Sequence, residues 1–86
     1  MKADREEMTR LVKTARGQLD GVLRMIEEDR YCIDISNQLL AAIAVLRKAD
    51  REILKAHIGS CVRTAIESGD TETKIAELTG MIEKLI

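Results

Sequence analysis

The stretch IDISNQLLAAIAVLRKADREILKAHI, residues 33–58, contains neither glycine nor proline. Its apolar residues recur every three or four positions, which predicts a helix, and the period extends the helix from about residue 32 to about residue 67. Its apolar face runs through Ile35, Leu39, Ile43, Leu46, Ile53 and His57, followed by Cys61, Ala65 and Ile66. A helix this long needs other helices packed along it. The sequence therefore predicts an all-α protein organised around one long helix.

A second helix is predicted before it, from about residue 4 to about residue 28. Asp4 and Glu7 fit a capping pair that opens this helix. Its apolar stripe consists of Met8, Leu11, Ala15, Leu19, Val22 and Ile26. Gly17 and Gly21 lie inside the helix, four residues apart, where glycines can allow close contact with another helix. The polar cluster EEDR, residues 27–30, ends the stripe.

The sequence ESGD, residues 67–70, predicts the end of the long helix. Ser68 and Gly69 provide a C-terminal stop, and Asp70 or Thr71 an N-cap for the next helix. That third helix carries Ile75, Leu78, Ile82 and Leu85. The predicted order is therefore long, longer, short, within a single domain covering residues 1–86.

The composition favours a protein that shares its core between chains. The chain has 86 residues, no Trp and no Phe, and Tyr31 is its only aromatic residue. A domain of this size buries little surface alone, and a core without large rings buries still less. With 14 basic and 15 acidic residues, the net charge neither requires nor excludes a nucleic-acid partner. We see no secretory signal and no apolar run of membrane length, so we expect a cytoplasmic protein.

His57 and Cys61 are four residues apart, so a helix places them one turn apart on one face. Both residue types bind metals, and Cys32 is the other available thiol. A continuous helix separates Cys32 from Cys61 by roughly 43 Å, so one chain cannot bring both to the same ion. An antiparallel two-fold dimer brings Cys32 of each chain beside His57 and Cys61 of its partner, and forms a four-helix core.

Two thiolates and one imidazole suit Cu(I), whereas Zn(II) prefers a fourth ligand. The sequence also fits simpler readings. Cysteine is among the most buried residue types, and a single histidine on an apolar face is often a core residue. Tyr31 could cap the start of a helix, and Glu77 could belong to the solvated face of the third helix.

The segment GQLDGVLRMIEEDRYCIDISNQLLAAIAVL, residues 17–46, and the later HIGSC, residues 57–61, resemble the CsoR/RcnR family of bacterial metal-sensing repressors. The resemblance extends from about residue 10 to about residue 83, and the spacing of Cys32, His57 and Cys61 is its specific signature. It implies an all-α fold and antiparallel dimers that assemble into a homotetramer. It also implies that the metal-free protein binds operator DNA and that Cu(I) releases it.

Under this resemblance, Cys32 of one chain and His57 and Cys61 of the other match the Cu(I) ligands of copper sensors. Tyr31 and Glu77 match positions that contact the ligand histidine. Nickel and cobalt sensors are similar but carry histidine where this chain has Cys61, and another histidine near the N-terminus. Formaldehyde sensors carry proline directly after the initiator methionine, where this chain has Lys2. Persulfide sensors keep both cysteines but lack the histidine, so His57 favours copper.

The predicted DNA-binding residues are Arg10, Lys13, Arg16 and Arg47, from their charge and the family resemblance. Thr14 stands where the family commonly has arginine. Each of the four could equally be an ordinary solvated charge. We see no helix-turn-helix or other known DNA-reading motif.

The leading hypothesis is a Cu(I)-responsive transcriptional repressor that controls copper resistance genes. The alternative is a repressor that senses persulfide or related sulfur species through Cys32 and Cys61. Two hypotheses belong to other functional classes: a copper chaperone or buffer that does not bind DNA, and a purely structural helical oligomer. An enzyme is not expected, because we see no nucleophile paired with a base and no phosphate-binding loop. The sequence predicts no membrane partner and no small-molecule substrate.

Overall fold

The structure, a computed structural model, describes residues 1–85. Ile86 and the side chain of Leu85, both named in the predictions above, lie outside the described residues. The elements are α1 (Arg5–Glu27), α2 (Cys32–Ser68) and α3 (Thr71–Leu85). The described chain contains no strand, so the all-α prediction with helices in the order long, longer, short is confirmed. None of these helices combines the length and apolar character that crossing a membrane requires.

The start of α1 is fixed by Asp4. Its side chain accepts hydrogen bonds from the backbone N–H groups of Glu6, at 2.9 Å, and Glu7, at 3.3 Å. The Glu7 carboxylate instead contacts the Arg10 guanidinium at 3.3 Å. Asp4 is therefore the predicted N-cap, and Glu7 adds an ion pair on the surface of the first turns.

The turn after α1 is a Schellman motif built without glycine. The N–H of Asp29 donates to the carbonyl of Ile26 at 3.1 Å, and that of Arg30 donates to Met25 at 2.9 Å. Asp29 takes the left-handed conformation, with a φ of 53°. Aspartate tolerates this conformation better than most residues, which explains how EEDR ends the helix.

The turn after α2 is the predicted one. Gly69 has a φ of 75°, and its N–H donates to the carbonyl of Ala65 at 2.8 Å. The N–H of Asp70 donates to the Ser68 hydroxyl at 3.3 Å. Glycine reaches this left-handed conformation at no steric cost, so α2 stops here and α3 can begin at Thr71.

The chain divides into two compact units, one of them Asp4–Arg51 and the other Met1–Ala3 together with the chain from Glu52 onward. The first unit contains α1 and the first part of α2. Its buried side chains are Met8, Leu11, Ala15 and Val22 on α1, and Ala42 and Ala49 on α2. That the chain forms a single domain stays a prediction.

Cys61 and Ala65 of the predicted apolar face of α2 are buried, but in the first part of α2 the buried residues differ from the predicted face. Ala42 and Ala49 are buried, whereas Leu39, Ile43 and Leu46 each remain about two-fifths exposed. Small alanines let a neighbouring helix approach closely, and the larger side chains then flank the contact. A broad apolar surface of α2 is therefore left accessible in one chain.

The glycines of α1 make no close helix contact in the described chain. A Cβ added to Gly17 would meet nothing within 4 Å, and one added to Gly21 would meet only the Arg24 side chain, at 3.8 Å. Within one chain, no other helix therefore packs closely against α1 at Gly17 and Gly21, whereas the sequence suggests such a contact.

Candidate metal centre

His57 and Cys61 lie in the second unit, on the C-terminal part of α2. The helix places them one turn apart, as their spacing predicts. Cys61 is buried, with 5% of its surface exposed, while the His57 side chain is 41% exposed. The Cys61 thiol is therefore shielded from solvent, whereas the His57 imidazole is partly accessible to it.

Glu77 comes from α3, which the Gly69 turn brings back beside α2. Its Oε1 lies 3.0 Å from Nε2 of His57. Its Oε2 lies 3.7 Å from Nζ of Lys74, one turn earlier on α3. Lys74 was not predicted as a site residue, although its spacing of three residues from Glu77 is a signal that could have identified it.

These contacts favour the ionised form of Glu77. The hydrogen bond from His57 is the main cause that holds the pKa of Glu77 below its ordinary value, with Lys74 adding a smaller effect in the same direction. An ionised carboxylate only accepts hydrogen bonds, so Nε2 of His57 carries the proton. With the proton on Nε2, the atom of the ring that can bind a metal is Nδ1.

His57, Cys61 and Glu77 together form a candidate metal-binding cluster. One donor atom from each lies within 4.8 Å of the other two. The cluster offers a sulfur, a nitrogen and an oxygen from a single chain. Chemically, it can hold a metal ion either through all three donors or through the sulfur and nitrogen, with the carboxylate orienting the imidazole.

Cys32 is the first residue of α2, and Tyr31 comes directly before it. Both residues are exposed. The Tyr31 carbonyl accepts the N–H of Asp34 at 3.0 Å and that of Ile35 at 3.2 Å. Cys32 is not a member of the cluster of His57, Cys61 and Glu77. The roles of Cys32 as a ligand and of Tyr31 as a contact of the ligand histidine thus stay predictions.

The predicted DNA-binding residues all belong to the first unit and are exposed: Arg10, Lys13, Arg16 and Arg47. The helical period places the three residues of α1 on the side opposite its buried stripe. The segment from Arg10 to Arg16 contains three basic residues and no acidic one. Arg10 pairs with Glu7, whereas Lys13, Arg16 and Arg47 have no carboxylate within 4 Å among the described residues.

A polar groove of about 590 Å³ also lies in the first unit, lined in part by Gly17, Gly21, Arg24 and Arg30. Gln18 lines it too, and its buried Oε1 has no hydrogen-bond partner among the described residues. The groove contains none of the predicted ligand or DNA-binding residues.

Comparison with known proteins identifies one family. The family profile described as metal-sensitive transcriptional repressor matches residues 4–84. The copper-sensing transcriptional repressor CsoR of Bacillus subtilis (strain 168) is 37% identical over 81 residues, which are 94% of this chain and 80% of that protein. CsoR of Mycobacterium ulcerans (strain Agy99) is 40% identical over 72 residues, and this chain spans 62% of its length.

Two solved structures share the fold. The copper-sensing repressor CsoR with Cu(I) from Geobacillus thermodenitrificans NG80-2 is 38% identical, with a TM-score of 0.85 over 93% of this chain and 83% of that one. The nickel-responsive transcriptional regulator InrS has a TM-score of 0.89 over 100% of this chain and 97% of its own, at 24% identity. The second likeness concerns the fold alone.

Proposed function

Because this chain belongs to the metal-sensitive transcriptional repressor family, we propose that it is a Cu(I)-responsive repressor. In this proposal the metal-free protein binds operator DNA in the cytoplasm. Cu(I) binds between two chains, at Cys32 of one and at His57 and Cys61 of the other, and the DNA is released. Genes for copper resistance are then expressed.

The observation that carries the metal assignment is the contact between His57 and Glu77. A proton held on Nε2 by Glu77 leaves Nδ1 as the ligand atom, and a ring nitrogen of His57 lies within 4.8 Å of the sulfur of Cys61. A second thiolate completes a soft three-ligand set that suits Cu(I). Relatives that bear the name copper-sensing repressor, at 37% and 40% identity, support the same metal.

The second thiolate is proposed to come from another chain. Cys32 begins α2, and Cys61 follows 29 residues later in the same uninterrupted helix. A two-fold antiparallel dimer would place the start of one α2 beside the cluster of the other, and two dimers would form the homotetramer. The accessible Leu39, Ile43 and Leu46 support such an assembly, because large apolar side chains left half-exposed favour contact with another chain.

DNA binding is proposed at the exposed basic side chains of α1 and at Arg47 of α2. Lys13 and Arg16 are the main candidates for phosphate contacts, since no carboxylate of the described chain neutralises them. Phosphate contacts release condensed counterions, so the affinity for DNA should fall steeply as salt rises. Lys13→Ala should reduce that slope, whereas Arg63→Ala, which removes an exposed charge from the second unit, is the matched control.

The test is a titration of Cu(I) into the complex of protein and DNA without oxygen. The duplex is first selected from random sequences by its binding to the metal-free protein. No operator sequence then has to be assumed. Cu(I) should release the DNA at one ion per chain, while Zn(II) and persulfide serve as controls. Release by persulfide and not by Cu(I) would replace the copper proposal with a thiol sensor.

The thiol sensor remains the second candidate because Cys32 is exposed. An exposed thiol can be reached by a sulfur donor in solution. The Cys32 thiolate could take the outer sulfur of a low-molecular-weight persulfide, which leaves as its thiol. The Cys61 thiolate of another chain could then attack the Cys32 sulfur, forming a disulfide between the chains and releasing hydrosulfide. His57→Ala separates the candidates, since a thiol sensor should still respond without the imidazole.

A further inference from the structure

We propose that the polar groove of the first unit binds a free mononucleotide, with an amino-bearing base at Gln18 and the phosphate at Arg24 and Arg30. The groove has a volume of about 590 Å³, which is in the range of pockets that hold small organic ligands. It contains none of the predicted metal ligands or DNA-binding residues. The inference therefore does not rest on the proposed function.

Gln18 sets the first requirement for the ligand. Its Oε1 is buried and accepts no hydrogen bond among the described residues. A buried carbonyl oxygen without a donor destabilises the protein, so a ligand that supplies an N–H group there gains affinity. A glutamine amide matches adenine in particular, because its carbonyl accepts from the amino group while its N–H₂ donates to the neighbouring ring nitrogen.

The arginines of the groove supply positive charge for an anion. Arg24 has no carboxylate within 4 Å among the described residues. Arg30 contacts Glu28 at 3.6 Å, which is long for a hydrogen bond. One guanidinium is thus free to bind an anion and the other is weakly held. A phosphate monoester, with about two negative charges near pH 7, matches this pair.

The glycines of α1 leave space for a flat ring. Gly17 and Gly21 both line the groove, one turn apart. A Cβ would meet nothing within 4 Å at Gly17, and at Gly21 only a guanidinium nitrogen of Arg24, at 3.8 Å. The base can therefore lie against bare helix backbone, with the planar guanidinium close enough to stack on it. Thr14 donates its hydroxyl to the carbonyl of Arg10 at 2.9 Å, which leaves its oxygen to accept from a ribose hydroxyl.

The groove and the exposed apolar residues lie on opposite flanks of the helix pair. On α1, the helical period places Gly21 on one side of the buried stripe and Leu23 on the other. On α2 it separates Gln38, which lines the groove, from Ile43 on the two sides of the buried Ala42. Association of chains through the apolar flank would therefore leave the groove open to solvent.

The experiment is a calorimetric titration of AMP into the metal-free protein. We expect one AMP per chain, with adenosine and inorganic phosphate each bound about tenfold more weakly or less, because each lacks one half of the recognised chemistry. Arg24→Gln should weaken AMP binding by about tenfold or more. Arg5→Gln, which removes an exposed arginine of the same helix outside the groove, should bind AMP like the natural protein.

A second variant fills the groove without removing a charge. Gly17→Leu places a side chain in open space on α1, where leucine is the better helix former, so the variant should keep its helix content and thermal midpoint but lose AMP binding. The proposal is overturned if inorganic phosphate binds as tightly as AMP, or if AMP binds equally to the natural protein, Arg24→Gln and Gly17→Leu. It is also overturned if AMP fails to bind while Gly17→Leu loses affinity for single-stranded DNA, because the groove would then hold a nucleotide of nucleic acid.

Discussion

Nε2 of His57 and Oε1 of Glu77 lie 3.0 Å apart, and this contact joins α2 to α3. Among the described residues, the basic group that forms an ion pair with Glu77 within 4 Å is Lys74. A change at His57 therefore directly alters the environment of Glu77 on α3.

In the metal-free protein, His57→Ala should raise the pKa of Glu77 towards its ordinary value, because the hydrogen bond from His57 is the main cause of its lowering. A carboxyl with a depressed folded-state pKa stabilises the fold above its unfolded-state pKa, and this contribution is lost as pH falls through the folded-state value. Carboxyl NMR measures the shift. Lys74→Ala should raise the pKa less, and a larger rise there would contradict the assignment.

His57→Ala should also separate metal binding from the DNA response. In the proposed site Cys32 and Cys61 supply the soft ligands, so the variant should retain appreciable Cu(I) affinity. In the natural protein we expect Cu(I) to weaken DNA binding by about 5- to 150-fold, and in the variant this factor should approach one. Cys32→Ala should lose both properties. The measurement is the DNA affinity of the His57→Ala protein with and without Cu(I). If Cu(I) releases DNA from this variant as fully as from the natural protein, His57 is only a ligand.

Mixing Cys32→Ala and Cys61→Ala chains should restore Cu(I) binding that neither parent has. Each mixed dimer holds one intact site and one that lacks both cysteines, because the two thiols of a proposed site come from different chains. Competition with a Cu(I) chelator measures the recovery after the chains are unfolded and refolded together. A mixture that binds no better than its parents would exclude a site shared between chains.

The thermal midpoint should rise with protein concentration. One chain leaves Leu39, Leu40, Ile43 and Leu46 of α2 between 39% and 57% exposed, and a small three-helix chain buries little else. Association of folded chains then contributes to stability by mass action. Calorimetry over a hundredfold concentration range tests this, together with the mass in solution. A monomer whose midpoint does not change with concentration would contradict it.

The two residues in left-handed conformation should respond oppositely to substitution. Asp29→Gly should stabilise the protein by about 0.5 kcal/mol, because glycine adopts a positive φ without steric cost. Gly69→Ala should destabilise it by about 1 kcal/mol, since a Cβ is unfavourable at a φ of 75°. Denaturation at one fixed protein concentration compares them. Equal effects in the same direction would mean that backbone conformation does not control these turns.

Much of the fold follows from local signals in the sequence. The uninterrupted stretch after Cys32 predicts α2, and Gly69 with Asp70 predicts its end. The turn at Asp29 could not be predicted in detail, because aspartate permits the left-handed conformation without requiring it. The residues buried in the first part of α2 were also not predicted. Ala42 and Ala49 carry little hydrophobic signal, and packing against α1 selects them for their small size.

Local sequence signals also predict only part of the candidate site. Helical spacing alone places His57 beside Cys61. Glu77 belongs to another helix, and its contact depends on the turn at Gly69, which no local period reveals. It was predicted only through family resemblance. Under the proposed function Cys32 acts with residues of a second chain, which neither the sequence period nor the fold of one chain places beside it.

The unequal exposure of the two thiols bears on the chemical durability of the protein. In one chain Cys61 is buried while Cys32 is exposed, so oxidants and alkylating agents should reach Cys32 first. Loss of this single thiol would leave the donor cluster around His57 intact but deprive the proposed copper site of its second sulfur. Under the proposed function, protein oxidised at Cys32 would stay bound to DNA when Cu(I) rises, so oxidative stress would keep the genes it controls repressed.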